Sequence, residues 1–91
     1  MQKLPISVYY IASNEELRLP ISLKSVASWA DEIIMVIDMQ SKDKTAEIAE
    51  SFGCKIFYNE WKGYAVQKKL AESKCSNKWV FNLDADEEVS L

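Results

Sequence analysis

The sequence predicts an α/β protein built on one parallel sheet. Short runs rich in β-branched and aromatic residues alternate with helical stretches along the 91 residues, which is typical of consecutive βαβ units. The first run, at 6–12, is almost wholly apolar or aromatic, as in a central strand buried on both faces. Short connections with right-handed crossovers then favour the strand order 3-2-1-4. Together these observations predict a three-layer, Rossmann-like βαβαβαβ arrangement.

Each element has a local reason in the chain. Pro20 suits the first turn of helix 1, and Gly53 stands where a helix end needs positive φ. The polar stretch 13–16 offers capping groups for helix 1, and Asp43 or Ser41 can cap helix 2. We predict strands at 6–12, 32–38, 54–58 and 78–83, and helices at 19–28, 44–52 and 64–73.

Composition excludes several classes of function. The net charge of −3 provides no general surface for a polyanion, so we expect no nucleic-acid partner. The chain contains no histidine, which excludes serine triads and His-ligated zinc within these residues. No apolar run reaches the roughly 18 residues that span a bilayer. Cys54 and Cys75 lack metal-ligand spacing and suit reduced thiols in a cytoplasmic protein.

Acidic residues stand where two of the predicted strands end. Asp84 and Asp86 follow strand 4 directly, and Asp38 ends strand 2. Strands 1 and 4 lie side by side where the strand order reverses, and parallel sheets bind ligands at the carboxyl ends of such strands. Carboxylate oxygens there suit Mg²⁺ or Mn²⁺ bridging to a diphosphate. Asp38 can accept a hydrogen bond from the N–H of a uracil-type base or from ribose hydroxyls.

Alternative interpretations remain for these residues. Acidic side chains near a helix N-terminus also serve as caps, which is our preferred interpretation of Asp43. Gly63 either permits a turn or lets the backbone approach a ligand. Three lysines near the start of helix 3 either neutralise a diphosphate or are solvated: Lys62, Lys68 and Lys69. No G-x-G-x-x-G follows strand 1 and no P-loop occurs, which argues against dinucleotide binding and P-loop phosphoryl transfer.

The motifs, in this order and spacing, resemble the N-terminal half of family 2 inverting glycosyltransferases. The similar segments are residues 6–16 and Trp29–Ile34 leading to Asp38, followed by Glu60–Tyr64 and 83–87. The last two segments resemble the branch that acts in bacterial lipopolysaccharide core synthesis. Met39-Gln40 departs from the small residues usual at that position, and Lys69 replaces a frequent asparagine.

The resemblance implies a GT-A fold, a nucleotide-sugar donor such as a UDP-hexose, a Mg²⁺ or Mn²⁺ ion, and a saccharide or lipid-linked acceptor. By position, Asp38 resembles the residue that holds the base, and Asp84 resembles the residue that contacts ribose. Asp86 resembles the carboxylate that ligates the metal. Ala12 and Glu15 lie in the segment that resembles the lining of the nucleotide pocket.

The family's general base lies well beyond the D-x-D segment, so the resemblance leaves the catalytic residue unknown within this chain and implies a position beyond Leu91. We therefore expect residues 1–91 to be the donor-binding part of a longer enzyme, truncated at the C-terminus and inactive alone. Apolar surface left uncovered would favour self-association. A cytoplasmic location, including the inner face of the membrane, fits this interpretation. The alternative is a non-catalytic α/β interaction or nucleotide-binding module whose acidic cluster is a solvated cap.

Overall fold

The computed structural model describes residues 3–89, which form a four-stranded parallel sheet in the order β3-β2-β1-β4. The strands are β1 (Leu4–Ala12), β2 (Ala30–Asp38), β3 (Lys55–Asn59) and β4 (Trp79–Asn82). The helices are α1 (Leu19–Ala27), α2 (Thr45–Ser51) and α3 (Tyr64–Lys74). The predicted fold class and strand order are confirmed, and every predicted boundary lies within two residues of the observed one.

The starts of β1 and β2 both lie two residues before the predicted boundaries, and the register at the start of β1 is irregular. Leu4 pairs with Ala30 and donates its N–H to the Trp29 carbonyl, so the strand begins two residues early. The register with β2 then shifts between Leu4 and Ser7. Pro5, which has no N–H to donate, falls within this irregular stretch, where it interrupts no regular pairing.

Alternation along the strands divides the core between two faces of the sheet. On one face, α1 and α2 cover a large apolar cluster that includes Val8, Tyr10, Met35 and Ile37. On the other, α3 covers a smaller cluster built around Tyr9, Ile34, Val36 and Ala71. β1 is therefore buried on both faces, as its composition predicts, and within residues 3–89 α3 alone covers one side of the sheet.

The two cysteines lie on opposite faces of the sheet. Cys54 packs against the cluster under α1 and α2, and Cys75 packs against the cluster under α3. Both are free thiols, as predicted. Burial raises the pKa of Cys54 to about 12 and that of Cys75 to about 11, so both thiols stay protonated near neutral pH and are poor nucleophiles.

β4 lies at an edge of the described sheet and carries apolar side chains that are largely exposed. Trp79, Val80 and Phe81 are all exposed, although they alternate between the two faces of the strand. This is the kind of surface through which we predict self-association. None of the helices within residues 3–89 is long and apolar enough to cross a membrane.

Candidate functional site

The C-terminal edge of the sheet gathers acidic groups around the loop between β1 and α1, residues 13–18. Asp38 Oδ2, at the end of β2, lies 3.5 Å from Ser13 Oγ at the start of this loop. The Asp86 carboxylate, beyond β4, lies 3.6 Å from the guanidinium of Arg18 at the end of the loop. Asp38 and Asp86 therefore border one loop at one edge of the sheet.

The two carboxylate oxygens of Asp38 have different hydrogen-bond partners. Oδ1 accepts the N–H of Gln40 at 3.0 Å, and the Asp38 carbonyl accepts the N–H of Ser41 at 2.9 Å, which shapes the turn after β2. Within residues 3–89, the contact with Ser13 Oγ is the only hydrogen bond to Oδ2, and at 3.5 Å it is long for a hydroxyl donor. Asp38 thus stabilises its turn with one oxygen and leaves the other available to a ligand.

The polar stretch 13–16 does not cap α1, so that prediction is wrong. The helix has no side-chain capping bond at its N-terminus. Instead, Asn14 Oδ1 accepts the N–H of Lys42 at 3.0 Å, and the N–H of Glu15 donates to Thr45 Oγ1 at 2.8 Å. These groups are occupied by bonds to the β2–α2 loop and to the first residue of α2, which connect the two segments at the edge of the sheet.

Asp43 bonds to the first residue of α2, although the capping position is Lys44, which makes no side-chain capping bond within residues 3–89. Asp43 Oδ1 accepts the N–H and hydroxyl of Thr45, and Asp43 Oδ2 accepts the N–H of Glu16 at 3.1 Å. Burial raises the pKa of Asp43, but hydrogen bonds from Thr45, Glu16 and Ser41 outweigh it and hold the pKa below its ordinary value. Asp43 is a structural carboxylate.

Ala12 and Glu15 contribute to this edge in different ways. The Ala12 side chain is buried in the core under α1 and α2, so only its backbone can line a pocket. The Glu15 carboxylate pairs with the Arg18 guanidinium at 2.8 Å. Nothing in the sequence pointed to Arg18, which places a positive charge between Glu15 and Asp86.

The segment after β4 holds its two aspartates at the surface. Leu83 and Ala85 are buried in the core, whereas Asp84 and Asp86 are exposed between and beyond them. A turn follows, in which the Asp84 N–H donates to Glu87 Oε1 at 2.8 Å and the Glu87 N–H donates to the Asp84 carbonyl at 3.0 Å. The buried side chains therefore fix the segment while both carboxylates face solvent.

These donors fit a metal that is shared with a substrate. Among the described residues, no three His, Cys, Asp or Glu side chains converge into a protein-only metal cage. Mg²⁺ is commonly held by one or two carboxylates together with substrate phosphates. Asp86, with Asp84 two residues before it, can supply that kind of partial site, although Arg18 competes for the Asp86 carboxylate.

The residues around the start of α3 include Gly63 and the three lysines for which the sequence left two interpretations open. Gly63 adopts φ +107°, a conformation that favours glycine, and the space where a Cβ would project is open. Gly63 therefore permits the turn into α3, and the open space beside it also leaves room for the backbone to approach a ligand. The three lysines at 62, 68 and 69 are exposed. Sequence reasoning missed Gln67, which is buried beneath this turn and accepts a hydrogen bond from Asn59 Nδ2 at 2.5 Å.

A small cavity adjoins Asp86 between α1 and the turn after β4. Its volume is about 160 Å³, whereas pockets for small molecules typically span about 300–1,000 Å³. It is too small for a nucleotide sugar and lies away from Asp38, so we assign the site to the open edge around residues 13–18. The cavity is lined by Leu17, Arg18, Ile21, Ser22, Asp86, Glu87 and Glu88.

Comparison with known proteins defines the family. Residues 7–90 match the family model described as glycosyl transferase family 2. The chain therefore belongs to glycosyl transferase family 2, and the resemblance noted from its motifs is confirmed. The crystal structure of S. aureus TarS 1-349 matches with a TM-score of 0.78 at 21% identity, covering 96% of this chain and 29% of that chain. This likeness confirms the GT-A fold.

Two curated relatives illustrate the similarity. An uncharacterized glycosyltransferase of Rickettsia bellii (strain RML369-C) is 48% identical over 85 residues, which cover 93% of this chain and 29% of the relative. The lipopolysaccharide core biosynthesis glycosyltransferase LpsC of Rhizobium meliloti (strain 1021) is 38% identical over 92 residues, 96% of this chain and 33% of LpsC. The chain thus spans about a third of the length of these relatives.

Proposed function

We propose that this chain is the donor-binding part of an inverting glycosyltransferase. The donor is a nucleotide-diphospho-sugar of the UDP-hexose class, and the acceptor is a saccharide or a lipid-linked saccharide of the cell envelope. The observation that carries the proposal is the gathering of Asp38, Asp84 and Asp86 at one sheet edge in a family 2 chain. The similarity to LpsC supports the choice of acceptor class. A cytoplasmic location, at or near the inner face of the membrane, belongs to the same proposal.

The edge offers separate contacts for each part of a nucleotide. The free Oδ2 of Asp38 can accept a hydrogen bond from a base N–H, because its bond to Ser13 is long. The exposed Asp84 carboxylate can accept from ribose hydroxyls. The backbone from Ala12 to Glu15 forms the wall between them, and its bonds to the β2–α2 loop keep that wall fixed.

Asp86, with Asp84 nearby, would hold a Mg²⁺ or Mn²⁺ ion against the diphosphate. When bound, the metal supplies Lewis-acid stabilisation of the leaving group. Arg18 lies 3.6 Å from the same carboxylate and would release it when the ion binds. Inversion also needs a base on the opposite side of the sugar. Glu87 Oε1 accepts the Asp84 N–H, so we do not assign Glu87 as this base.

Metal-dependent nucleotide binding tests this proposal. UDP is titrated into the labelled chain with and without Mg²⁺, and affinity is followed by NMR chemical shifts. The wild type should bind UDP more tightly with Mg²⁺, and Asp86→Ala should lose that gain while keeping its circular dichroism spectrum. Asp38→Asn should weaken binding about tenfold or more under both conditions, because a hydrogen bond to a charged group is worth roughly 1.5–3 kcal/mol.

Glu47→Gln provides the matched control, because Glu47 is an exposed carboxylate in the first turn of α2 and should leave UDP binding unchanged. If UDP and Mg²⁺ shift no resonance near Asp38, Asp84 or Asp86 in the wild type, the proposal is wrong. That result would favour the alternative of a non-catalytic interaction module. The exposed apolar side chains of β4 are the surface such a module would use, and they are also where self-association would occur.

A further inference from the structure

The segment that follows β4 is attached to the rest of the molecule at both of its ends. Leu83 donates its N–H to a carbonyl of β1 at 3.1 Å, and the side chains of Leu83 and Ala85 are buried in the core. At the far end, the N–H of Val89 donates to Ser25 Oγ of α1 at 2.9 Å, and the Val89 side chain packs against the same core. Three exposed residues lie between these attachments. We call them the acidic span: Asp86, Glu87 and Glu88.

The acidic span crosses a cavity instead of lying on packed side chains. All three of its residues line the cavity of about 160 Å³ between α1 and the turn after β4. Leu17 and Ile21 also line this cavity, and both are exposed, so they give the span little apolar support. Close packing fixes most of the backbone in a folded protein, and it is weak here. The position of Asp86 therefore depends on the bonds at the two ends of the span.

Ser25 makes a bond that the corresponding serines of the other two helices lack. The hydroxyls of Ser25, Ser51 and Ser73 each donate to the carbonyl three residues earlier in their own helix, at 2.6 Å. Such local bonds are usual for serine in a helix. In the part of the chain that the structure describes, Ser25 alone of the three also accepts a bond, and its partner Val89 is 64 positions away. The carbonyl of Ser25 accepts the indole N–H of buried Trp29 at 2.8 Å, which holds this part of α1 in place.

We propose that Ser25 is a positioning residue for Asp86. This inference rests on the proposed function, in which Asp86 holds a Mg²⁺ or Mn²⁺ ion against the diphosphate. Because Ser25 holds Val89, it limits the positions that the acidic span can adopt in the metal-free chain. Less conformational freedom is then lost on binding, so the carboxylate binds the ion more tightly. Residues that orient a metal ligand without touching the metal commonly affect metal affinity in this way.

Titration of wild type, Ser25→Ala and Ser25→Thr with UDP, with and without Mg²⁺, tests the inference. Alanine removes the acceptor of the Val89 N–H, whereas threonine keeps the hydroxyl. Ser25→Ala should reduce the Mg²⁺-dependent gain in UDP affinity by about three- to tenfold, which is the effect of one hydrogen bond. Ser25→Thr should recover most of that gain, and UDP affinity without Mg²⁺ should be the same in all three proteins. Ser51→Ala is the matched control, because it removes only a local helix bond and should behave as wild type.

Amide hydrogen exchange at Val89, measured without metal or nucleotide, gives an independent readout. Ser25→Ala should speed exchange at Val89, because its N–H loses the hydroxyl acceptor, while the amides of β1 keep their wild-type rates. Unchanged rates in β1 distinguish the local release of the acidic span from a general loss of stability. Ser51→Ala should leave the exchange at Val89 unchanged.

The outcomes separate this inference from the proposed function. If Mg²⁺ has no effect on the UDP affinity of the wild type, the proposed function itself fails. If the effect is present and Ser25→Ala keeps it in full, the role of Ser25 is wrong and the proposed function stands. A loss that Ser25→Thr shares in full would also contradict the inference, because the hydroxyl would not be its source. Should Ser25→Ala not fold, Val89→Pro removes the same bond from the donor side, and an unchanged Mg²⁺ effect in that variant would overturn the inference.

Discussion

Two carboxylates on the same face of β2 have opposite environments. Glu32, near the start of the strand, accepts bonds from Ser7 Oγ at 2.6 Å and from Lys55 Nζ at 2.9 Å, and also from the N–H and hydroxyl of Ser76. Asp38, at the end of the strand, has one oxygen with only a 3.5 Å contact among the described residues. Position on a strand therefore does not define a site. A carboxylate whose oxygens are fully paired belongs to the scaffold, and one with a free oxygen is available to a ligand.

The paired carboxylate also has an indirect part in building the site. Glu32 holds Ser76, and Ser7 Oγ accepts bonds from the N–H and side-chain amide of Asn77. These contacts fix the turn between α3 and β4 to the N-terminal end of the sheet. Because β4 leads directly into Asp84 and Asp86, a firm start to this strand determines where those carboxylates emerge.

The largest effect we predict is on stability, and it distinguishes the two carboxylates. Burial raises the pKa of Glu32, but hydrogen bonds from Ser7, Ser76 and Lys55 outweigh it and lower the pKa from 4.5 to about 2. At about 1.4 kcal/mol per unit, Glu32→Gln should lower the free energy of unfolding by about 3 kcal/mol at pH 7. Asp38→Asn, the matched change on the same strand, should cost less than about 1 kcal/mol, because asparagine still accepts the Gln40 N–H.

Urea unfolding followed by circular dichroism measures both variants. Asp38→Asn should lose nucleotide affinity while keeping its stability, and Glu32→Gln should lose stability. If the two variants are destabilised equally, the contrast between a scaffold carboxylate and a ligand carboxylate is wrong.

A second prediction concerns how the free energy of unfolding depends on pH, and the expected change at any one pH is smaller. The pKa of Glu32 is lower in the folded chain than in the unfolded chain, so its stabilisation is complete above about pH 4.5 and is lost as the pH falls toward 2. Asp43, whose folded pKa is also lowered, acts in the same direction. Wild-type urea midpoints should therefore fall between pH 6 and pH 3, and Glu32→Gln should show a shallower fall. Parallel curves for the two proteins would show that Glu32 is not the source of the pH dependence.

The sequence was sufficient for the fold and for the sheet edge at which the candidate site lies. Alternating apolar runs specify which residues are buried. The backbone preferences of Pro20 and Gly53 mark the ends of helices locally, so the helix ends can be predicted without knowing which distant residues are in contact. The pairing of polar side chains was not predictable in the same way. Glu32 meets Ser76 across 44 positions, and residues 13–16 bond to the β2–α2 loop instead of to α1. A glutamine within a helix suggests an exposed position, and the burial of Gln67 depends on how α3 packs on the sheet.

The smallest expected effect concerns the ion pairs at the two ends of the sheet. Lys55 pairs at 2.9 Å with a Glu32 side chain that is 6% exposed, whereas Arg18 pairs at 3.6 Å with an Asp86 side chain that is 56% exposed. Exposed pairs contribute about 0–1 kcal/mol, so Arg18→Gln should change stability little.

Because Arg18 competes with a metal for Asp86, the variant should increase the Mg²⁺-dependent part of UDP binding, by about two- to fivefold at low salt and less at high salt. Lys24→Gln, the same charge change in the last turn of α1, should leave that part unchanged. If Arg18→Gln instead weakens UDP binding without metal, the guanidinium contacts the diphosphate directly. Competition between Arg18 and the metal for Asp86 would then not determine the affinity for UDP.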